Sequence, residues 1–241
     1  MTDRRFRRAA TLLGIMVVAG CGNPAAPAAT VGAGSSTPQP TAAPTPTEAG
    51  AVVIEDAGVD VALAPGHYAS RVFRPAVELQ LPAGWLRRSA TRANGLAIGS
   101  ASSDIDFAIT HLDFAQCGET LLAHPKAAAA AELVAKATVL HPTAGQTTID
   151  GASVPSVDLP GGGAGSGGEI DPANGCIFTT GDAAYPAEGA WIVLTTSEAG
   201  RLAFLDVGDV TVLVIGRSPT MGLDAVLAAV EPLLAGVQFP Q

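Results

Sequence analysis

Lysine is nearly missing from this 241-residue chain, which carries it only at Lys126 and Lys136. Cations are scarce as a class, with 13 Lys and Arg against 22 Asp and Glu and a net charge of −9. A nucleic-acid site needs clustered cations facing the phosphates, and a polybasic membrane patch needs the same, so the composition argues against both. No apolar run approaches the roughly 20 residues that cross a bilayer core; the N-terminal one, Ala9 to Ala19, stops at 11. Cysteine occurs three times. There is no HExxH, no GxSxG, and no Ser three residues before either lysine, which removes the short signatures of zinc peptidases, α/β-hydrolases and penicillin-binding enzymes.

What is present begins with an address. Arg4, Arg5, Arg7 and Arg8 precede that apolar run, the layout of an export segment that is removed. Val18-Ala19-Gly20-Cys21 resembles the lipobox of bacterial lipoproteins, in which the cysteine thiol receives a diacylglyceryl group and becomes the mature N-terminus. The expected division is therefore a signal peptide over 1–20, then a lipidated Cys21 with its tether over 21–50. Residues 1–20 hold four of the basic residues and one of the acidic ones, leaving nine against 21 and a net charge of −12. Membrane contact is then expected from acyl chains on Cys21, each buried CH₂ contributing about 0.8 kcal/mol. The predicted location is the extracytoplasmic face of a cell membrane.

With Cys21 assigned to lipid, Cys117 and Cys176 remain, and an exported compartment makes a disulfide between them the expectation. Closing a loop of about 60 residues stabilises by about 4 kcal/mol in the chain-entropy account. Zinc is set aside because neither thiol has a nearby His or Cys at ligand spacing.

Gly22 to Gly50 is Ala, Pro, Thr, Ser and Gly with almost no bulky apolar residue, too little to offset its ordering entropy, and reads as a disordered tether. From Ala51 the apolar content stays high, so 51–241 is expected to form one domain without internal repeats. Val52 to Ile54 and Val59 to Leu63 are short strand candidates. Val77, Leu79 and Leu81 alternate with Glu78 and Gln80, Trp85 to Ser89 follows the Pro82-Ala83-Gly84 turn, and Asn94-Gly95 marks a hairpin before Leu96 to Ser100. Ile105, Phe107 and Ile109 alternate with polar or small residues. This half is expected to be an antiparallel meander.

A helix is predicted over about 125–140, with Pro125 in its first turn and Leu133, Val134, Ala137 and Leu140 on one stripe. Strands return at Thr147–Ile149, Val154–Leu159, Cys176–Thr180, Trp191–Thr196, Leu202–Val207 and Val210–Ile215. The two-residue Gly208-Asp209 turn sets Val207 opposite Val210 and Leu205 opposite Val212 on one face. Phe204 then meets Leu213, and Leu202 meets Ile215, on the other. Both faces are apolar, so both need cover. A second helix, Met221 to about Leu234, offers Leu223, Val226, Leu227, Val230 and Leu234, with Thr220 as cap and Pro232 kinking or ending it.

Phe73 followed by Val77-Glu78-Leu79-Gln80-Leu81-Pro82-Ala83-Gly84-Trp85, with a closing hairpin, helix and Phe239, resembles PsbP-like domains and, with the lipobox and tether, the LpqN/LpqT family of actinobacterial lipoproteins. The resemblance covers most of 67–241. It implies an α+β fold, an antiparallel sheet covered by helices on both faces as an α/β/α sandwich, and a binding or accessory role without catalytic residues.

Candidate chemistry is thin. Gly163 to Gly168 spells GxGxxG after a strand, with Glu188 about 20 residues on, but Glu169 to Gly175 reads as a turn where a dinucleotide site needs a helix, so a surface loop is expected. His67, His111, His124 and His141 show no ligand spacing. Asp104 and Asp106 could act as acid and base or hold a cation, the plainer expectation being the solvated face of an edge strand beside Arg87 and Arg88. No catalytic, metal or cofactor residue is assigned. The function expected is a lipid-anchored envelope module that binds a protein or a small apolar ligand, the alternatives being an envelope hydrolase or a cell-wall spacer.

Overall fold

A computed structural model of the chain describes residues 50–162, 175–180 and 190–240. The predicted signal peptide, Cys21, almost all of the tether, the GxGxxG at 163–168 and Glu188 lie outside those residues.

The N-terminal part comprises β1 (Val52–Val53), a 3-10 turn at Ile54–Asp56, β2 (Ala62–Leu63), β3 (Gly66–Ala69) and β4 (Glu78–Leu81). Next come β5 (Trp85–Arg87), β6 (Gly95–Ser100), β7 (Asp106–His111), β8 (Phe114–Cys117) and β9 (Thr120–Ala123). Helix α1 (Ala127–Ala135) and a 3-10 turn at Thr138–Leu140 lead to β10 (Thr143–Ile149), β11 (Ala152–Pro160), β12 (Cys176–Thr180) and β13 (Ala190–Leu194). The chain closes with β14 (Ala199–Val207), β15 (Val210–Ser218), α2 (Leu223–Ala235) and β16 (Val237–Gln238).

The β14–β15 hairpin is the spine. Its turn has Gly208 at φ +59°, and the pairing follows the predicted register, Val207 to Val210, Leu205 to Val212, Phe204 to Leu213 and Leu202 to Ile215. Around it runs an eight-stranded sheet in the order β10-β11-β14-β15-β7-β6-β5-β2, flanked by two four-stranded sheets, β1-β3-β4-β16 and β13-β12-β8-β9. Ala203, Leu205, Val212 and Val214 pack with Val226 and Val230 of α2 and with Leu79 and Leu81 of β4. On the opposite face Leu202, Phe204, Leu213 and Ile215 pack with Ala130 and Val134 of α1 and with Ala115 and Phe178 of β8 and β12.

The two apolar faces are thus each covered, but not as the α/β/α sandwich requires. Among the described residues strand dominates, 47% against 17% helix, in three sheets with two α-helices. Seven strand spacings of about 4.8 Å span about 34 Å, while one helix is about 10 Å wide, so a helix on each face leaves most of the central sheet bare. The remaining cover comes from the small sheets. The meander expectation therefore holds for β5, β6 and β7, whereas β4 leaves to pair with β3 and β16.

Both helices are shorter or differently faced than the periodicity predicts. Helix α1 ends at Ala135, with Leu140 buried from the following 3-10 turn. In α2 the buried stripe is Val226, Val230, Leu233 and Leu234, and Leu227 is only half-buried. Pro232 sits inside α2 on its exposed side, and the helix runs past it to Ala235. Thr220 does not cap it. Gly222 occupies that position without a side-chain bond, and Ser218 Oγ accepts the Thr220 and Met221 amides one turn earlier.

Candidate functional site

A cleft of about 820 Å³ lies at the end of the central sheet, between the start of α1, the β10–β11 turn, the end of β14 and the C-terminal tail. Its walls are mainly apolar, including Ile149, Val154, Phe204 and Phe239. Two carboxylates interrupt them.

Asp206 arises from strand alternation: Leu205 turns into the core, so Asp206 turns out at the rim. Its Oδ1 accepts the Ala127 amide at 3.1 Å and the Thr211 hydroxyl at 2.6 Å. Helix α1 has no cap from its own N-cap residue, Lys126, so a residue 79 positions away satisfies its first turn. Asp150, at φ +52°, and Gly151, at φ +72°, form the β10–β11 turn, and Asp150 Oδ2 accepts the Phe239 amide at 3.2 Å, holding the tail against the cleft. Each carboxylate thus has one oxygen engaged internally and a second with no described hydrogen-bond partner, and Ser153 lines the same cleft.

A second cavity, about 510 Å³, lies between α1 and the β8–β9 hairpin, beside Cys117. Cys117 and Cys176 stand directly opposite each other across β8 and β12, with Cα atoms 4.3 Å apart, and are disulfide-bonded. The pairing follows the sequence expectation. On the same helix Lys136 Nζ meets Glu132 Oε1 at 2.5 Å, an i,i+4 pair, and that hydrogen bond holds the Glu132 carboxyl below its usual range.

Asp104 and Asp106 line a groove of about 570 Å³ with Arg88 and Arg217. Neither lies on an edge strand: Asp106 opens β7, which is paired on both sides, by β15 and β6, and Asp104 lies in the loop before it. Arg88 Nε approaches Asp106 Oδ1 at 3.9 Å, and Thr220 donates its hydroxyl to Asp104 Oδ2 at 3.2 Å. Arg87 points the other way, buried, donating to the carbonyls of Glu55, Ala57 and Ser89. The arginine expected beside the aspartates is Arg88 alone.

The histidines are dispersed. His67 pairs with Glu78 at 2.9 Å, His124 lies 3.7 Å from Asp113, His111 Nε2 meets the Arg74 carbonyl, and His141 adopts φ +49° after the 3-10 turn. Among the described residues no group of three or more His, Cys, Asp or Glu is placed to hold a metal, and no serine hydroxyl is bonded to a histidine.

Sequence reasoning missed Asp150 and Asp206. Both had signals: Asp150-Gly151 is a hairpin dipeptide between apolar runs, and Asp206 is a lone carboxylate inside Leu-Ala-Phe-Leu-Asp-Val.

No family model matches the chain, and no curated protein matches it. A crystal structure from Bacteroides thetaiotaomicron VPI-5482 is similar over 68% of this chain and 45% of its own length, with a TM-score of 0.35 and 11% identity. The chain thus spans less than half of that protein, and so low a likeness carries no argument about fold or function.

Proposed function

We propose that the protein is a lipid-anchored, extracytoplasmic binding module of a bacterial cell envelope, whose 820 Å³ cleft takes a small, largely apolar molecule bearing a cationic or hydrogen-bond-donating head. The observation that carries the binding half is the cleft's composition: mainly apolar walls with Asp150 and Asp206 among the lining residues, each with one oxygen that has no described hydrogen-bond partner. A cleft of this size suits a small molecule, and acceptor-only polar groups select donors. The anchoring half rests on Val18-Ala19-Gly20-Cys21 and the apolar segment before it.

The binding test compares decylamine with decanoate, which share a chain and differ in head-group charge. Decylamine should raise the thermal midpoint in a saturable way, decanoate should not, and Ala128→Trp, which fills the cleft from the outer side of α1, should abolish the shift. Equal response to both probes, or a full response in Ala128→Trp, would refute the cleft. The anchor is tested separately by labelling with a palmitate analogue in cells, which Cys21→Ser should eliminate.

A further inference from the structure

Resting on the anchored reading above, we propose that the end of the domain where the tether joins it is a docking surface for an anionic phospholipid bilayer, built on Arg71, Arg74 and Arg92. Net charge conceals this surface. Residues 50–95 carry five arginines and four acids, whereas residues 96–241 carry four cations and 16 acids, so the acidity belongs to the second segment.

Within the first segment the cations divide by use. Arg87 is buried on backbone carbonyls and Arg88 faces Asp106. Elsewhere Lys136, Arg201 and Arg217 are paired with Glu132, Asp158 and Glu198. Arg71, Arg74 and Arg92 are exposed, and none forms an ion pair with a described residue.

The fold puts these three together. The Arg74 amide donates to the Ala93 carbonyl at 2.9 Å, joining the loop after β3 to the Arg92–Gly95 turn. The loop is held in one shape from within: Ser70 Oγ accepts the Val72 and Phe73 amides and donates to Glu55 Oε1 at 2.5 Å, while Glu55 Oε2 accepts the Arg71 amide at 3.0 Å. Both carboxylate oxygens of Glu55 are therefore engaged with the loop's own donors. Phe73 is fully buried against the His111 ring, which leaves its neighbours Arg71, Val72 and Arg74 facing outward. Val72, between Arg71 and Arg74 in the same loop, is 39% exposed, so an apolar side chain accompanies the arginines on this surface.

Two arguments make the occupant a bilayer. Glu55, which clamps the loop, lies five residues after Gly50, so the chain reaches the domain from its proposed lipid at this end. Exposed arginine with interspersed valine suits a headgroup layer, the guanidinium forking onto phosphate and the valine reaching the acyl boundary. The acidic remainder does not cancel this. A domain of about 190 residues has a radius of gyration of about 16 Å, twice the Debye length of about 8 Å in physiological salt, so most of its carboxylates are screened from the surface the arginines touch.

The test uses the chain from Cys21 onward with Cys21→Ser, so that no lipid contributes, and cosedimentation with phosphatidylcholine vesicles containing or lacking phosphatidylglycerol. Binding should require phosphatidylglycerol and weaken with salt. Arg71→Gln/Arg74→Gln/Arg92→Gln should weaken it about a hundredfold, at roughly fivefold per arginine. Lys126→Gln/Lys136→Gln, which removes two exposed cations elsewhere, should change it less than about twofold on the same scale. Binding indifferent to phosphatidylglycerol, or equal losses in the two variants, would overturn the proposal. Because these vesicles report no acylation, failure here with intact palmitate labelling at Cys21 would sink the docking surface and leave the anchor standing.

Discussion

Gly216 of β15 packs closely against Val230 of α2, and Gly216→Ala is a sharp probe of that contact. A Cβ built there falls well inside contact distance of both Val230 methyls and 2.9 Å from Val230 Cβ, where carbon atoms prefer about 3.5–4.0 Å. Val230 is fully buried and β-branched, hence restricted to one rotamer in a helix, so the helix must move away from β15. Overpacking of this kind costs about 1–3 kcal/mol, offset by roughly 0.5–1 kcal/mol because alanine loses less backbone freedom than glycine in a strand. Gly216→Ala should therefore destabilise by about 1–2 kcal/mol. Val230→Ala removes two buried carbons at about 0.8 kcal/mol each and leaves a cavity, for about 2 kcal/mol or slightly more. In the double variant the new methyl occupies the vacated space, so the combined loss should be no greater than that of Val230→Ala alone, a favourable coupling of about 1–2 kcal/mol. Urea unfolding of the four proteins, read at constant m-value, measures it. Simple additivity would mean that Gly216 and Val230 do not share this contact, and that α2 is seated differently. Leu227→Ala serves as an internal comparison: half-buried, it should cost less than Val230→Ala, whereas the periodicity alone would have assigned it a full core loss.

Removing the disulfide with Cys117→Ala/Cys176→Ala should cost about 2–5 kcal/mol, and alkylation of the unreduced native protein should add no mass at either position. Asp206→Ala strips α1 of its cap and should cost about 1–2 kcal/mol, with faster amide exchange in the first turn of α1 and little change in α2; uniform loss in both helices would contradict the assignment. Burial pushes the Glu55 carboxyl up, but hydrogen bonds from the Ser70 hydroxyl and the Arg71 amide, with Arg87 nearby, outweigh it and hold the group below its usual range. A depressed value in the folded state stabilises above the ordinary carboxylate range and loses that contribution as pH falls through the folded value. The stability gap between wild type and Ser70→Ala should accordingly be open at neutral pH and narrow on acidification, and a gap that widened would reverse the argument.

Local signals carried the strands and the turns. The period-2 runs at Val77–Leu81 and Ile105–Ile109 and the Gly208-Asp209 turn specified elements, faces and the pairing of Leu202–Val207 with Val210–Ile215, because alternation and a two-residue loop are decided by neighbours in sequence. Which strands share a sheet was not legible. Val237–Gln238 pairs with Glu78–Leu79, and Cys176 meets Cys117, and nothing near either end encodes the partner. That gap led to helices being assigned cover that the small sheets provide. The candidate cleft failed to appear for the same reason. Asp150 and Asp206 are unremarkable singly and acquire a shared role only when the tail and the start of α1 arrive beside them.

The position of β15 has a consequence for how the protein can be made. Strand β7 ends at His111, yet its second partner, β15, begins at Val210, and β4 waits longer still for its second, at Val237. While the chain is being synthesised, the N-terminal meander must persist with the β7 edge open and its apolar face bare for about 100 residues of growth, several seconds at typical elongation rates. Such an edge is a template for pairing with other chains. Neither half can therefore complete its fold as a separate unit. Early release, or proteolysis before Val210, should leave an intermediate that aggregates and not a smaller native protein.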